Sequence, residues 1–175
     1  MIAVKVRTVA MDQQMNPVVL LVDQAESLAL PIWIGQNEAQ SIALELRGMK
    51  LPRPMTHDLM REMLTHLTVS VSRIVVTDLQ GGTYFAEIHL KTKSAEVVVD
   101  SRPSDAIALA LRTEAPIFVE EKVAAQAIPL KKAFDEHEVE EFKKFLDHVR
   151  PADFSQSQAE GKARKDTKDT RFEES

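Results

Sequence analysis

The strongest constraint on the fold is a seven-residue pattern that occurs twice. It reads SIALELR at residues 41–47 and AIALALR at residues 106–112. The second copy has no polar face in its first two turns, and a helix that is apolar all round is buried on several sides. Its alanines allow neighbouring elements to approach closely. The chain is therefore expected to fold around two buried helices, each of which follows a predicted strand.

Segments with a period of two surround the two copies. Residues 2–10, 18–22 and 28–35 alternate or are continuously apolar, which predicts three strands before the first copy. VSVSRIVVTDL, TYFAEIHLK and AEVVVDSR then predict a three-stranded antiparallel meander before the second copy. The predicted fold class is α+β, with mixed, largely antiparallel sheets packed against buried helices in two strand-to-helix halves.

A further helix is predicted between the two halves. Thr56 is the expected N-cap, and Asp58 lies in the first turn, where the helix dipole favours a negative charge. Leu59, Met63 and Leu67 share one face at helical spacing, with Met60 and Leu64 beside them. We expect that face to pack on a sheet.

The chain divides into one domain and two smaller segments. Residues 1–134 contain the strands, the helices of the two halves and a short helical piece at 122–127. Residues 135–150 predict a C-terminal helix with an apolar stripe. Residues 151–175 mix both charges with almost no apolar residues, so we expect a disordered tail.

Composition excludes several classes of site. The 175 residues include no cysteine, which rules out disulfides, zinc–thiolate sites and cysteine nucleophiles. The N-terminus does not read as a signal peptide and no apolar run approaches the roughly 20 residues of a membrane span, so we expect a cytoplasmic protein without membrane contact. The net charge of −5 requires any nucleic-acid site to be a local patch or to depend on metal ions.

The repeated seven-residue pattern, residues 41–47 and 106–112, is called the cassette. Polar residues lie where a predicted strand is followed by each helix that contains a copy of it. Asp100, Arg102, Ser104 and Asp105 precede or begin the second helix, and Glu38 occupies the comparable position before the first. Backbone N–H groups at a helix start point outward and favour anions. These two entrances are therefore the candidate binding region.

Two long motifs give the chain a family resemblance. LPIWIGQNEAQSIALELRGMKLPRPMTHDLM and VDSRPSDAIALALRTEAPIFV resemble the bifunctional nuclease domain family, and the match covers roughly residues 1–130. The resemblance implies an α+β domain that degrades both DNA and RNA without sequence specificity and forms homo-oligomers. Uncovered edges of a small meander would independently favour self-association.

Phosphodiester hydrolysis needs an activated water and stabilisation of phosphate charge, commonly through carboxylate-bound Mg²⁺ or Mn²⁺. Within that chemistry we predict a catalytic set of His57, Asp58, Arg102 and Asp105. The predicted ligands of a divalent metal ion are Glu38, Asp100 and Asp105. No spacing signature marks these residues as a metal site.

Each candidate also has a structural interpretation. Asp58 and Asp105 can be first-turn carboxylates, His57 a surface or capping residue, and Arg102 the partner of a neighbouring carboxylate in a polar network. The aromatic residues Trp33 and Tyr84 can stack on bases or belong to the core. If the structural interpretations hold throughout, the alternative function is a non-catalytic oligomeric regulatory or scaffold domain that binds an anion or a partner protein.

Overall fold

The computed structural model describes residues 1–130, and it confirms the predicted α+β class. The predicted helix at 135–150 and tail at 151–175 lie outside the described residues. The elements, in chain order, are β1 Ile2–Met11, β2 Pro17–Asp23, β3 Leu28–Trp33, α1 Gln36–Leu46, α2 Thr56–His66, β4 Ser70–Gln80, β5 Thr83–Lys91, β6 Glu96–Ser101, α3 Pro103–Thr113, β7 Ile117–Val119, α4 Glu121–Ala124 and β8 Ile128–Pro129.

All eight described strands join one sheet, in the order β6-β5-β4-β7-β1-β2-β3-β8. Neighbouring strands are antiparallel except β4 and β7, which are parallel. The predicted mixed, largely antiparallel arrangement is therefore confirmed, with the strands in a single sheet. The three-residue strand β7 pairs with β4 on one side and with β1 on the other, so it joins the two strand groups that the sequence separates.

The sheet is strongly curled. Tyr84 on β5 places its hydroxyl oxygen 3.5 Å from the carbonyl oxygen of Pro31 on β3. Four strands lie between β5 and β3, and in a flat sheet five intervals of about 4.8 Å would separate them by roughly 24 Å. Register shifts in β1 and β4 mark bulges, which increase local twist and bend a strand. The curl brings the ends of distant strands together.

Helix α3 forms the centre of the main core, as the apolar cassette predicts. The five consecutive residues from Ala106 to Ala110 are all at most 1% exposed. Pro103 begins the helix at a position where its missing N–H is not needed. The first cassette copy, in α1, packs beside α3 but is only partly buried. No helix within residues 1–130 is long and apolar enough to cross a lipid bilayer.

Helix α2 contradicts one prediction about packing. Leu59, Met63 and Leu67 are 50%, 55% and 70% exposed, whereas Met60 and Leu64 pack against the core. Only the side of the predicted face that carries Met60 and Leu64 is therefore buried. The reason is that α2 packs on α3, a single helix with a narrow contact surface, instead of lying on the sheet.

Candidate functional site

The two strand-to-helix entrances open into one cleft. Gly35 is the N-cap of α1 and Arg102 is the N-cap of α3, and both have extended backbone. Both residues line a cleft of about 560 Å³, together with Trp33, Tyr84 and the buried Ser104. The curl of the sheet supplies the opposite wall. Two helix starts thus face one cleft, which is a favourable position for an anion.

Arg102 bridges two carboxylates at this cleft. Its Nε donates to Oδ2 of Asp105 over 2.7 Å, and its Nη2 donates to Oε1 of Glu38 over 2.7 Å. The Arg102 side chain is 65% exposed, so its guanidinium is accessible to a ligand. The hydrogen bonds that Arg102 donates to Asp105 and then to Glu38 raise the pKa of Arg102 above its ordinary value. The guanidinium is therefore permanently charged.

His57, on α2, lies beside Asp105 and connects α2 with α1 and α3. Its Nε2 is 3.1 Å from Oδ1 of Asp105 on α3, and its Nδ1 is 2.9 Å from the hydroxyl of Ser41 on α1. A neutral imidazole with its proton on Nε2 satisfies both contacts, because the Ser41 hydroxyl then donates to Nδ1.

The trio of Ser41, His57 and Asp105 has the residue types of a serine hydrolase triad. Ser41 is only 2% exposed, however, so its hydroxyl is closed to substrate. His57 does not have the surface or capping role of the structural interpretation either, because its ring is buried. The geometry makes His57 a residue that positions the Asp105 carboxylate.

Asp58 belongs to a second, separate ion pair. Its Oδ1 accepts a hydrogen bond of 2.6 Å from Nε of Arg112, the last residue of the second cassette copy. Arg112 also donates to the carbonyl oxygens of Ala108 and Ser41, over 2.9 and 3.2 Å. Its side chain is 2% exposed. Arg112 thereby ties α1, α2 and α3 together from inside.

The start of α2 depends on the same carboxylate. Met55 is the N-cap and Thr56 is the first helical residue, which corrects the predicted cap by one position. Oδ2 of Asp58 accepts the Met55 N–H over 2.8 Å, so the helix start is stabilised without a polar N-cap side chain. Partial burial acts to raise the pKa of Asp58, but the Met55 N–H and Arg112 outweigh it and lower that pKa.

The three predicted metal ligands do not come together. Asp100 is exposed on β6, where it lies opposite Glu87 of β5. Glu38 and Asp105 do converge, but on the guanidinium of Arg102. Within residues 1–130 no group of three or more His, Asp or Glu side chains is placed to hold a metal ion. As arranged, these residues do not fit a resident Mg²⁺ or Mn²⁺ ion.

Trp33 and Tyr84 were predicted either to belong to the core or to stack on bases. Trp33 and Tyr84 are half-buried and pack against core clusters, as the structural interpretation predicts. Trp33 also donates from Nε1 to Asp12 over 3.1 Å. Both residues line the cleft, and their stacking on bases stays a prediction.

A second cleft, of about 770 Å³, lies between the end of β1 and α1. It is lined by Arg47, the counterpart of Arg112 in the first cassette copy. None of the predicted catalytic residues lines it. Arg47 is exposed, whereas Arg112 is buried, so the arginines of the two cassette copies have different environments.

Sequence reasoning missed Ser41 and Arg112 as members of the polar network. Both are buried polar residues next to the apolar residues of the two cassette copies, and that position was the signal in the sequence. Gly35 was also missed. A Cβ atom built at Gly35 would collide with the carboxylate of Glu38, so only glycine leaves room for Glu38 in its present position.

Comparison with known proteins identifies the family. The model of the bifunctional nuclease domain matches residues 18–130. An uncharacterized protein of Mycobacterium tuberculosis is 45% identical over 161 residues, covering 86% of this chain and 96% of the relative. The proteins named bifunctional nuclease 1 of Oryza sativa subsp. indica and bifunctional nuclease 2 of Arabidopsis thaliana are 27% and 30% identical over 112 residues.

Those plant matches cover 62% of this chain and 34% of each plant protein, so the shared region spans about a third of the plant proteins. The matched region contains all lining residues of the cleft except Asn16, the Glu38–Arg102–Asp105 cluster and the buried His57. More than half of the chain thus matches one domain family in sequence. The chain belongs to the bifunctional nuclease domain family.

Proposed function

We propose that the chain hydrolyses phosphodiester bonds of DNA and RNA without sequence specificity at the cleft beside Arg102. The observation that carries this proposal is an exposed, permanently charged guanidinium at the meeting point of two helix starts. Membership of a family that includes proteins named bifunctional nuclease supports the choice of substrate.

Arg102 is suited to a phosphate. Its Nε and Nη2 are engaged by Asp105 and Glu38, while Nη1 makes no hydrogen bond within residues 1–130. Arginine donors in this planar arrangement match phosphate oxygens, and the helix starts add outward-pointing N–H groups. Recognition of the backbone phosphate alone carries no sequence information, which accounts for non-specific binding of either nucleic acid.

Asp105 is the residue that the proposal assigns to proton transfer. It is partly exposed beside Arg102, and His57 fixes its orientation. In hydrolysis a water oxygen forms a bond to phosphorus and its proton passes to the Asp105 carboxylate. The bond to the leaving oxygen breaks, and that oxygen takes a proton from solvent water. The Arg102 charge stabilises the negative charge that develops on the phosphate. Asp58 takes no part, because its partner Arg112 is buried, whereas Arg102 beside Asp105 is exposed.

Self-association is part of the proposal. β6 is one of the two edge strands of the sheet in the described part of the chain, and its Val97, Val98 and Val99 are exposed. An unpaired apolar edge is a template for pairing with another strand. We expect light scattering at low micromolar concentration to give more than the 19.6 kDa of one chain, and Val98→Lys to lower that mass. A 19.6 kDa species alone contradicts self-association.

The decisive assay measures cleavage of end-labelled single-stranded DNA and RNA. Arg102→Ala is compared with wild type and with Arg47→Ala, which removes an exposed arginine from the second cleft. We expect Arg102→Ala to lower the cleavage rate at least roughly 100-fold, as loss of a charge-stabilising donor does, and Arg47→Ala to retain it. Circular dichroism and thermal denaturation establish that the variants are folded.

Other outcomes have distinct meanings. Equal cleavage by all three proteins contradicts the site, and points to another site or to a contaminating nuclease. Oligonucleotide binding that requires Arg102 without any cleavage favours the non-catalytic alternative, in which the cleft binds an anion for regulation or assembly.

A further inference from the structure

Glu38 and Asp105 converge on a single positive centre in the manner of ligands around a cation. Oε1 of Glu38 and Oδ2 of Asp105 are each 2.7 Å from a nitrogen of the same guanidinium. They come from different helices, so the fold has brought two negative charges together around Arg102. Carboxylates gathered in this way are common ligands of Mg²⁺ and Mn²⁺.

A divalent ion has no comparable place here. The two ring nitrogens of His57 already contact Asp105 and Ser41, so His57 is not available as a ligand. An ion between the two carboxylates would have to expel Arg102 or lie beside its fixed positive charge. Displacement of the Arg102 side chain from Asp105 is unfavourable. Arg102 is the N-cap of α3 and Asp105 lies three residues further along the same helix, so the two side chains are held close together.

We propose that Arg102 occupies the cation position of this site and that the site works without a divalent metal ion. As far as catalysis is concerned, this inference rests on the proposed function. The assignment of Arg102 as the cation concerns only Glu38, Arg102 and Asp105. Measurements of Mn²⁺ binding test that assignment without a cleavage assay.

Removal of the guanidinium should create the metal site that the wild-type chain lacks. Arg102→Ala leaves two converging carboxylates without their cation, and a hydrated Mn²⁺ ion can then bridge them. Arg102→Ala combined with Glu38→Gln removes one of those carboxylates. The double variant therefore reports metal binding by all other acidic residues of the full chain.

The test is titration of Mn²⁺ into the full chain, with free Mn²⁺ measured by electron paramagnetic resonance. We expect Arg102→Ala to bind one equivalent of Mn²⁺ more than wild type, with at least roughly tenfold tighter affinity than the background sites, and the double variant to lose it. Arg102→Gln repeats the test with a residue of similar length. Folded Arg102→Ala and Arg102→Gln proteins that both bind no additional ion would overturn the proposal.

Wild-type protein supplies the opposite test. One equivalent of Mn²⁺ bound by wild type and lost in Asp105→Asn would overturn the assignment of Arg102 as the cation. For activity, we expect EDTA to change wild-type cleavage by less than about twofold. Cleavage abolished by EDTA and restored by Mn²⁺ also overturns the inference. Complete absence of cleavage under all conditions contradicts the proposed function. The Mn²⁺ titration then still tests whether Arg102 occupies the cation position.

Discussion

Replacement of Arg112 by methionine tests how the three helices are held together. Arg112 is almost fully buried and donates to Asp58 of α2, to the Ser41 carbonyl of α1 and to the Ala108 carbonyl of its own helix. Methionine has a similar length and can fill much of the same apolar space, but it supplies no donor. The substitution therefore removes the charge and the hydrogen bonds with little loss of volume.

The magnitude follows from what the substitution leaves unpaired. Breaking a buried ion pair by removing one partner destabilises a protein by about 3–5 kcal/mol. The Asp58 side chain is 25% exposed and keeps its bond to the Met55 N–H, so the lower end of that range applies. We expect Arg112→Met to lower the free energy of unfolding by about 3 kcal/mol. For a chain of this size, that corresponds to a fall in Tm of roughly 6–12 °C.

Urea denaturation of a double-mutant cycle measures the interaction itself. The cycle consists of wild type, Arg112→Met, Asp58→Asn and the double variant. We expect the double variant to be more stable than the sum of the single effects by about 1–3 kcal/mol, because its second change removes the charge that the first leaves unpaired. Arg47→Met is the matched control in the first cassette copy, and its effect should stay within about 0.5 kcal/mol.

Two results would refute this reasoning. A loss below about 1 kcal/mol for Arg112→Met would mean that the buried pair contributes little to the helix contacts. Strict additivity in the cycle would mean that Asp58 and Arg112 stabilise the fold independently, despite the distance of 2.6 Å between their charged groups.

Three further changes test individual contacts. Because the pKa of folded Asp58 lies below the ordinary 3.8, its charge stabilises the fold above about pH 4 and that contribution fades as pH falls. Urea unfolding of Asp58→Asn should therefore show a flatter pH dependence below pH 4. Gly35→Ala must displace the Glu38 carboxylate, yet calorimetry should show a stability change below about 1 kcal/mol, because exposed ion pairs contribute little. Asp23→Ala removes the acceptor of the Ser27 N–H and hydroxyl, so thermal denaturation should report a loss of about 1–2 kcal/mol.

Much of the fold could be predicted because its signals are local. Alternation predicted the meander and the first three strands, and the apolar cassette predicted the buried α3. The strand β7 pairs with both β1 and β4, and no local pattern predicts such contacts between distant parts of the chain. The buried face of α2 was also beyond local signals, since an amphipathic pattern does not say whether a helix meets a sheet or another helix.

In the candidate site, too, local sequence signals predicted some contacts, whereas contacts that depend on long-range packing were missed. The entrances to the two cassette helices predicted Glu38, Arg102 and Asp105 as neighbours, and the structure brings these three together. The contact of His57 with Ser41 depends on how α1 and α2 pack on α3, for which the sequence has no local signal. Asp100 was grouped with the site because it is close in sequence, but it lies on β6 opposite Glu87.

The site is tested most directly by a crystal structure of the chain with a phosphorothioate dinucleotide, whose modified phosphate resists cleavage. We predict that a phosphate oxygen lies within hydrogen-bond distance of the Arg102 guanidinium, in the cleft between Gly35 and Ser104. Binding confined to the second cleft beside Arg47 would contradict this assignment. So would a phosphate held by a divalent ion between Glu38 and Asp105, with Arg102 turned away.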